Sequence, residues 1–267
     1  MCRYNLDLNQ ISPEKSQGKL LANVKIGNRV LELGPASGYM TRYMKDKLNC
    51  KITAVELDPK MGIKIQGDCE KVIIADLDGQ EWVADLAEES FDVTICGDVL
   101  EHLRNPVSTL NTVKPLLKKD GILLVSVPNI AHNSIIMELL KGNFDYQETG
   151  LLDGTHIHFF SRSSIKRCLN DAGFSIVKWD AVNVPPRAAE FESDYSDFSF
   201  AIQRDLLSRP DAHVYQFILI AKKTEVVLEE CTPPHSLTSD AEWYLKKQKR
   251  KHIPRWRRIL EKLGVGL

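Results

Sequence analysis

Residues Val30 to Tyr43 read V-L-E-L-G-P-A-S-G-Y-M-T-R-Y, and this stretch decides the fold. An apolar run leads to two glycines four residues apart, Gly34 and Gly38, and apolar residues then recur at helical spacing. The pattern predicts a strand, a tight turn and a helix. Glycine fits where the backbone has positive φ or lies against a ligand, and the first N–H groups of the following helix lack partners within it. The turn is therefore predicted to hold a polar ligand.

Length and composition are those of an ordinary globular chain. The 267 residues are 43% apolar and 27% charged with a net charge of −1, which suits one large α/β domain. A charge so near zero gives no overall attraction for nucleic acid, and no nucleic-acid partner is predicted. The six cysteines lack zinc-ligand spacing, and we find neither a signal sequence nor an apolar window of membrane-spanning length. We expect a soluble, cytoplasmic protein without a membrane span.

Aliphatic runs alternate with helical patterns along the chain. Five parallel strands are predicted: Arg29 to Leu33, Lys51 to Leu57, Lys71 to Ala75, Phe91 to Cys96, and Gly121 to Val127. A helix is predicted before the last of them, from Pro106 to Leu117. Such strands indicate a parallel sheet with helices on both faces. Two later runs, Phe174 to Val182 and His213 to Lys222, are predicted to pair antiparallel at one edge. The predicted fold is α/β, a seven-stranded, mostly parallel sheet with an antiparallel edge strand.

The chain divides into a main domain with flanking segments. Residues 1–26 are predicted to be an N-terminal helical segment, and residues 27–224 the main domain. Within that domain, residues 129–160 and 183–212 are predicted to be lids or substrate-binding insertions. Residues 225–267 combine basic and aromatic residues and are predicted to form a basic helical tail. The tail is either a solvated helix or a docking element for a protein partner or an anionic surface, and both readings stay open.

Polar or small residues follow the ends of four predicted strands. They are Glu32 and Gly34, Glu56, Asp76, and the pair Gly97-Asp98. In an open parallel sheet, ligands bind beyond these carboxyl ends. A carboxylate after the second strand suits the two hydroxyls of a ribose, and one after the third suits the exocyclic amine of adenine. The alternative is that the acids only cap the helices that follow, which becomes less convincing for four groups in register with the glycine turn.

The glycine turn differs from a dinucleotide-binding turn. The dinucleotide turn reads G-x-G-x-x-G, whereas this one reads G-P-A-S-G. Pro35 removes an N–H group that a pyrophosphate would use, and no phosphate-binding lysine accompanies the turn. The predicted ligand is therefore a nucleoside without phosphates.

Taken together, the motifs resemble those of the class I S-adenosylmethionine-dependent methyltransferases. The matching stretches are VLELGPASG, AVELDP, IIADLDG, FDVTICGDVLEHLRNP and LKKDGILLVSVPN. The resemblance extends from about Gly27 to Lys222 and implies a Rossmann-like fold, methyl transfer and S-adenosylmethionine as cofactor. Its implied cofactor-binding residues are Glu32, Gly34, Ala36, Gly38, Glu56, Leu57, Asp76, Leu77 and Gly97. The methionine part would lie against the turn, the ribose on Glu56 and the adenine on Asp76 and Leu77.

A second, narrower resemblance concerns the acceptor. Ser126 to Ser161 is similar to a subgroup found among bacterial surface-polysaccharide enzymes, to ubiquinone-type O-methyltransferases and to a protein of methionine biosynthesis. It implies methylation of a small-molecule or glycan hydroxyl, with sugar as the leading class. Two alternatives stay open: a non-catalytic, S-adenosylmethionine-binding subunit of a biosynthetic assembly, and a nicotinamide-dependent oxidoreductase, which the missing third glycine disfavours.

Transfer to a hydroxyl requires a general base. Histidine titrates near neutrality, so His102, His132, His156 and His158 are the candidate bases. The predicted catalytic residues are His102, His156 and His158, with Asp98 as a rival base or an orienting group. In an extended stretch, His156 and His158 would share a face. No third ligand at a recognisable spacing accompanies them, and no metal site is predicted.

Overall fold

A seven-stranded sheet forms the centre of the computed structural model, which describes residues 11–84, 86–88 and 90–224. The strands are β1 (Arg29–Leu33), β2 (Lys51–Glu56), β3 (Lys71–Ile74), β4 (Phe91–Gly97), β5 (Leu117–Pro128), β6 (Phe174–Asn183) and β7 (Val214–Lys223). Their spatial order is β3-β2-β1-β4-β5-β7-β6, and β1 to β5 run parallel. The predicted Rossmann-like sheet is confirmed, although β5 begins four residues earlier than expected, at Leu117 rather than Gly121.

The last two strands supply the antiparallel pairing, as predicted. β7 pairs antiparallel with both β5 and β6, so the reversed strand is β7 and the outermost strand is β6. The composition of each strand fits its position. β7 contains a buried run from Phe217 to Ala221, whereas β6 carries Lys178 and Asp180 on a largely accessible strand. An edge strand tolerates such polar residues because one side of it faces solvent.

Helices cover both faces of the sheet. They are α1 (Ser16–Leu21), α2 (Tyr39–Leu48), α3 (Pro59–Ile65), α4 (Pro106–Val113), α5 (Asn133–Lys141), α6 (Arg162–Asp171) and α7 (Phe200–Ser208). Successive strand residues point to opposite faces. Val30 accordingly lies in a core cluster with Met44 of α2, and Leu31 in a second cluster with Leu110 of α4 and Leu169 of α6.

The helix predicted from Pro106 to Leu117 is shorter than expected. It ends at Val113, makes one 3-10 turn over Lys114–Leu116, and the chain then enters β5. Pro115 accounts for the difference. It has no N–H group to continue the helical ladder, and its ring clashes with the carbonyl one turn back.

The two segments predicted as lids or insertions, residues 129–160 and 183–212, pack against each other. Met137 of α5 shares a buried cluster with Leu206 and Leu207 of α7. The segments therefore form one packed unit rather than two independent loops. Their role as lids stays a prediction.

The two ends of the chain are described only in part. The N-terminal segment contributes α1, and the tail predicted for residues 225–267 lies outside the described residues. Across residues 11–84, 86–88 and 90–224, no helix combines the length and the apolar character needed to cross a bilayer. The proposed domain limits stay predictions.

The glycine turn between β1 and α2 has left-handed backbone at three positions. The φ angles are +61° at Gly34, +50° at Ala36 and +73° at Gly38. A Cβ added to Gly38 would lie 2.1 Å from Ile65 Cγ2 of α3. Glycine is therefore required at residue 38 both by its backbone angle and by the close approach of α3.

We expect Gly38→Ala to destabilise the protein more than Gly27→Ala. Both glycines have φ near +75°, at +73° and +75°, but a Cβ on Gly27 meets nothing within 4 Å. Gly27→Ala should cost about 1 kcal/mol for the backbone angle alone, and Gly38→Ala about 2–4 kcal/mol because α3 must move as well. Urea denaturation of the two variants measures the difference. Equal losses would show that α3 does not press on the turn.

Candidate cofactor site and acceptor cluster

The carboxyl ends of β1, β2 and β4 lie side by side at one edge of the sheet. β1 lies between β2 and β4, and the order of the strands reverses at this point of the sheet. Open α/β sheets bind ligands in the crevice outside such a reversal. Glu32 of β1, Glu56 at the end of β2 and Gly97 at the end of β4 all belong to this edge.

Glu32 is a buried acid with one unused oxygen. Its side chain is 1% exposed, Oε2 accepts a 2.7 Å hydrogen bond from Thr41 Oγ1, and Oε1 has no hydrogen-bond partner among the described residues. Burial raises the pKa of Glu32 to about 7; the Thr41 hydrogen bond opposes this and the charge of Glu56 adds to it. The free oxygen is therefore a place for a donor or a cation supplied by a ligand.

Glu56 connects β2 to the glycine turn. Its Oε2 accepts a 2.9 Å hydrogen bond from Ala36 N, and its Oε1 accepts one of 2.9 Å from Asp58 N. Asp58 itself caps α3 by accepting from Lys60 N. Of these two acids, Asp58 caps a helix, whereas Glu56 is hydrogen-bonded to the glycine turn. Each oxygen of Glu56 keeps a second lone pair for a ligand hydroxyl.

The predicted adenine residues lie on the loop after β3. Asp76 is exposed, and its Oδ1 accepts a 2.9 Å hydrogen bond from Asp78 N. Asp78 in turn accepts hydrogen bonds from Arg104 N and Asn105 N, which joins this loop to the one after β4. Leu77 is buried beside it.

The other two predicted cofactor residues have contrasting surroundings. The Leu57 side chain is 66% exposed, so it is free to cover a bound ligand. A Cβ on Gly97 would lie 3.2 Å from Met40 Cε and 3.4 Å from Leu20 Cδ1. The end of β4 is therefore closely packed against α1 and α2, and glycine is the residue that fits there.

Asp98 follows β4 in left-handed backbone, with φ of +56°. Its Oδ1 accepts a 2.7 Å hydrogen bond from Ser126 Oγ and a second one from Gln216 Nε2. Burial raises the pKa of Asp98, although the two hydrogen bonds oppose this. The side chain is consequently held between β5 and β7.

Glu101, His102 and His156 form a compact group beyond Asp98, called here the Glu-His-His cluster. One ligand atom from each side chain lies within 4.8 Å of the others, and the His102 and His156 rings meet edge to face at 4.9 Å. Glu101 is 1% exposed, and burial, followed by the charge of Asp98, raises its pKa well above the usual range. Burial and the neighbouring His102 lower the pKa of His156.

Both histidines of the cluster are among the predicted catalytic residues, whereas Glu101 is not. The prediction of no metal relied on the lack of a third ligand at a recognisable spacing. Glu101 lies 55 residues before His156 and adjoins His102, so only the fold brings the three together. The one available signal in the sequence was an acid beside a histidine, flanked by the apolar residues Leu100 and Leu103.

The expected arrangement of His156 and His158 on one strand face is not observed. Residues 156–159 form no strand, and Ile157 N and His158 N both donate to the Glu101 carbonyl at 2.9 and 3.0 Å. His158 instead places Nε2 3.2 Å from the Arg104 carbonyl and stacks on Phe160. Two successive N–H groups that share one carbonyl bend the chain, so the two rings make different contacts.

His132, which follows β5, has a structural role. Its ring is buried, with Nδ1 2.8 Å from Ser134 Oγ and Nε2 2.7 Å from the Val184 carbonyl. Burial lowers the pKa of His132 to about 4. Both ring nitrogens are occupied, and the side chain links the two insertion segments.

We expect Glu32→Gln to become more stabilising as the pH rises. A raised pKa means that folded Glu32 keeps its proton between about pH 4.5 and 7 while the unfolded chain loses it, so wild-type stability falls across that window. The glutamine variant lacks this loss and should gain about 3 kcal/mol on wild type between about pH 5 and 8. Denaturant melts at both pH values measure it, with the exposed Glu70→Gln as the control. A gain that does not change with pH would contradict the expectation.

The sequence is similar to known methyltransferases. Residues 4–178, more than half of the chain, match the sequence model of a family described as a methyltransferase domain. A ubiquinone biosynthesis O-methyltransferase of Glaesserella parasuis serovar 5 is 27% identical over 143 residues, which is 50% of this chain and 58% of that protein. The protein of the same name from Xanthomonas euvesicatoria pv. vesicatoria is 29% identical over 157 residues, 56% and 64% of the two chains. The chain thus matches less than two thirds of these relatives' length.

A solved structure shows the same fold. The crystal structure of an S-adenosylmethionine-dependent methyltransferase from Archaeoglobus fulgidus superposes with a TM-score of 0.57 at 20% identity, covering 79% of this chain and 95% of that one. At this identity the likeness concerns the fold, and the family match carries the assignment. The chain belongs to the methyltransferase-domain family, and its fold is that of the class I S-adenosylmethionine-dependent methyltransferases.

Proposed function

We propose that this chain transfers a methyl group from S-adenosylmethionine to a hydroxyl oxygen of a small-molecule acceptor. The hydrogen bond from Ala36 N to Glu56 Oε2 carries the proposal, because it couples the carboxylate suited to a ribose with the glycine turn. Acid and imidazole groups follow β4 at the same edge of the sheet, where a hydroxyl would need a proton acceptor. A cofactor half and an acceptor half then border one crevice.

The residues of the first half fit the cofactor. The unpartnered, buried Oε1 of Glu32 suits the amino group of the methionine part. The remaining lone pairs of Glu56 suit the two ribose hydroxyls, and exposed Asp76 suits the adenine amine. When bound, S-adenosylmethionine supplies an electrophilic methyl group on its sulfonium, and the chain must align the acceptor and remove its proton.

The imidazoles beyond β4 supply the proton acceptors. His102 Nδ1 lies 3.2 Å from the Thr155 carbonyl, which can only accept, so Nδ1 carries the hydrogen and Nε2 keeps the lone pair. His158 has the reverse arrangement, since Nε2 faces the Arg104 carbonyl and Nδ1 keeps the lone pair. Asp98 already accepts two hydrogen bonds through Oδ1 and is better suited to orienting the site than to taking a proton.

The acceptor class is the finer part of the proposal. The relatives are named ubiquinone biosynthesis O-methyltransferases, which favours a hydroxyl on an aromatic, quinone-type precursor. The sugar or glycan acceptor expected from Ser126 to Ser161 gains no support from these names and stays a prediction. Docking through the basic tail likewise stays a prediction.

An acceptor screen with methyl-labelled S-adenosylmethionine tests the function. The panel should contain hydroxylated aromatic compounds, sugars and nucleotide sugars, with label transfer as the readout. We expect transfer to a hydroxylated aromatic compound and none to the sugars. Saturable cofactor binding without transfer to any compound would favour the non-catalytic subunit. A melting temperature that rises with NADH but not with S-adenosylmethionine would favour the oxidoreductase and overturn the proposal.

We expect Glu56→Ala to weaken S-adenosylmethionine binding at least about tenfold, because charge-assisted hydrogen bonds to the ribose are lost and Ala36 N loses its partner. Isothermal titration calorimetry measures the affinity, and circular dichroism should report an intact fold. Glu70→Ala, which removes an exposed acid paired with Lys51, is the matched control and should bind like wild type. Equal affinity of both variants would remove Glu56 from the cofactor site.

A further inference from the structure

We propose that the Glu-His-His cluster, Glu101, His102 and His156, binds a divalent first-row transition-metal ion. The ligand atoms of the three side chains lie within 4.8 Å of one another, so a small movement of the side chains would bring them to the separation of about 3.4 Å that tetrahedral ligands of one ion have. The set contains one carboxylate and two imidazoles, which suits zinc, cobalt, manganese or iron better than magnesium or calcium. The loop that contains His156 and the turn that contains Glu101 and His102 come together only in the folded chain.

The unpartnered carboxylate of Glu101 is the strongest observation. Its side chain is 1% exposed, and neither Oε1 nor Oε2 has a hydrogen-bond partner among the described residues. A buried carboxylate without hydrogen bonds is costly, and proteins pair such groups with a cation or a donor. Two imidazoles adjoin Glu101, so a shared metal ion satisfies all three side chains at once.

Backbone carbonyls prepare both histidines for metal binding. His102 Nδ1 lies 3.2 Å from the Thr155 carbonyl, and His156 Nδ1 lies 3.4 Å from the Leu151 carbonyl. Each Nδ1 therefore carries a hydrogen, which leaves the lone pair on Nε2. Metal-binding histidines usually donate their other ring N–H to an oxygen in this way, which fixes the tautomer and the ring orientation.

The backbone holds the two halves of the cluster together. Ile157 N and His158 N both donate to the Glu101 carbonyl, so the loop containing His156 is fastened to the residue that supplies the carboxylate. Asp153 strengthens the same loop by accepting from Thr155 N and Thr155 Oγ1 at 2.8 and 2.6 Å. The backbone around the cluster is therefore held in place, and only the side chains need to move closer to bind an ion.

Three protein ligands leave room for a further one. Catalytic metal sites keep such an open position, whereas structural zinc sites fill all four with side chains. The acceptor hydroxyl is the ligand we assign to it. Coordination would lower the pKa of the hydroxyl, and its proton would pass to water rather than to His102, whose Nε2 lone pair then binds the ion. An oxygen lone pair would form the new O–C bond while the S–C bond breaks and its electrons go to sulfur. This role depends on the proposed function, but metal binding itself does not.

Cobalt titration of the chelator-treated, full-length protein tests the site. We expect one Co²⁺ per chain, visible-region absorption bands typical of a nitrogen and oxygen ligand set, and displacement of Co²⁺ by Zn²⁺. His102→Ala and the near-isosteric Glu101→Gln should each weaken binding about 10- to 100-fold. His158→Ala is the matched control, since that ring faces the Arg104 carbonyl outside the cluster, and it should bind Co²⁺ like wild type.

The outcomes separate the metal site from the methyl-transfer proposal. Absence of both Co²⁺ and Mg²⁺ binding, or equal weakening by His158→Ala and His102→Ala, would overturn the site. Tight binding of Mg²⁺ without Co²⁺ would overturn the choice of ion. Label transfer that persists after chelation would remove the metal from the reaction while leaving the site intact. Metal binding with no affinity for S-adenosylmethionine would refute the proposed function alone.

Discussion

The hydrogen bond between Ala36 N and Glu56 Oε2 is the interaction on which the rest of the cofactor region depends. It joins the end of β2 to the turn after β1, and the same carboxylate reaches Asp58 N at the start of α3. A largely buried carboxylate needs such donors, and charge-assisted hydrogen bonds are among the stronger ones in proteins. Glu56 therefore holds the glycine turn in its left-handed conformation, and the same hydrogen bond orients the Glu56 carboxylate.

The two halves of the proposed site are built in different ways. The proposed cofactor half uses residues at successive strand ends, so each position follows from the order of elements along the chain. The proposed acceptor half uses residues far apart in sequence, such as Glu101 and His156, which meet because a loop binds the Glu101 carbonyl. Loops can change without disturbing the sheet, so the residues of the proposed acceptor half can vary while those of the proposed cofactor half stay in place.

Much of the fold could be predicted from the sequence, because each parallel strand is an aliphatic run bounded by turn residues. The strand-end acids Glu32, Glu56 and Asp76 could be placed for the same reason. The helix after β4 was predicted too long, because Pro115 prevents it from continuing beyond Val113. The partnership of Glu101 with His102 and His156 could not be predicted, since it depends on a loop conformation set by backbone hydrogen bonds rather than by side-chain periodicity.

A co-crystal structure with S-adenosylhomocysteine would show whether Glu56 binds the ribose. We expect the ribose hydroxyls within hydrogen-bonding distance of the Glu56 carboxylate, the amino group of the homocysteine part beside Glu32, and the adenine near Asp76. The Ala36–Glu56 hydrogen bond should persist in that complex. A nucleoside bound elsewhere on the sheet, or a Glu56 side chain turned away from the ribose, would contradict the account.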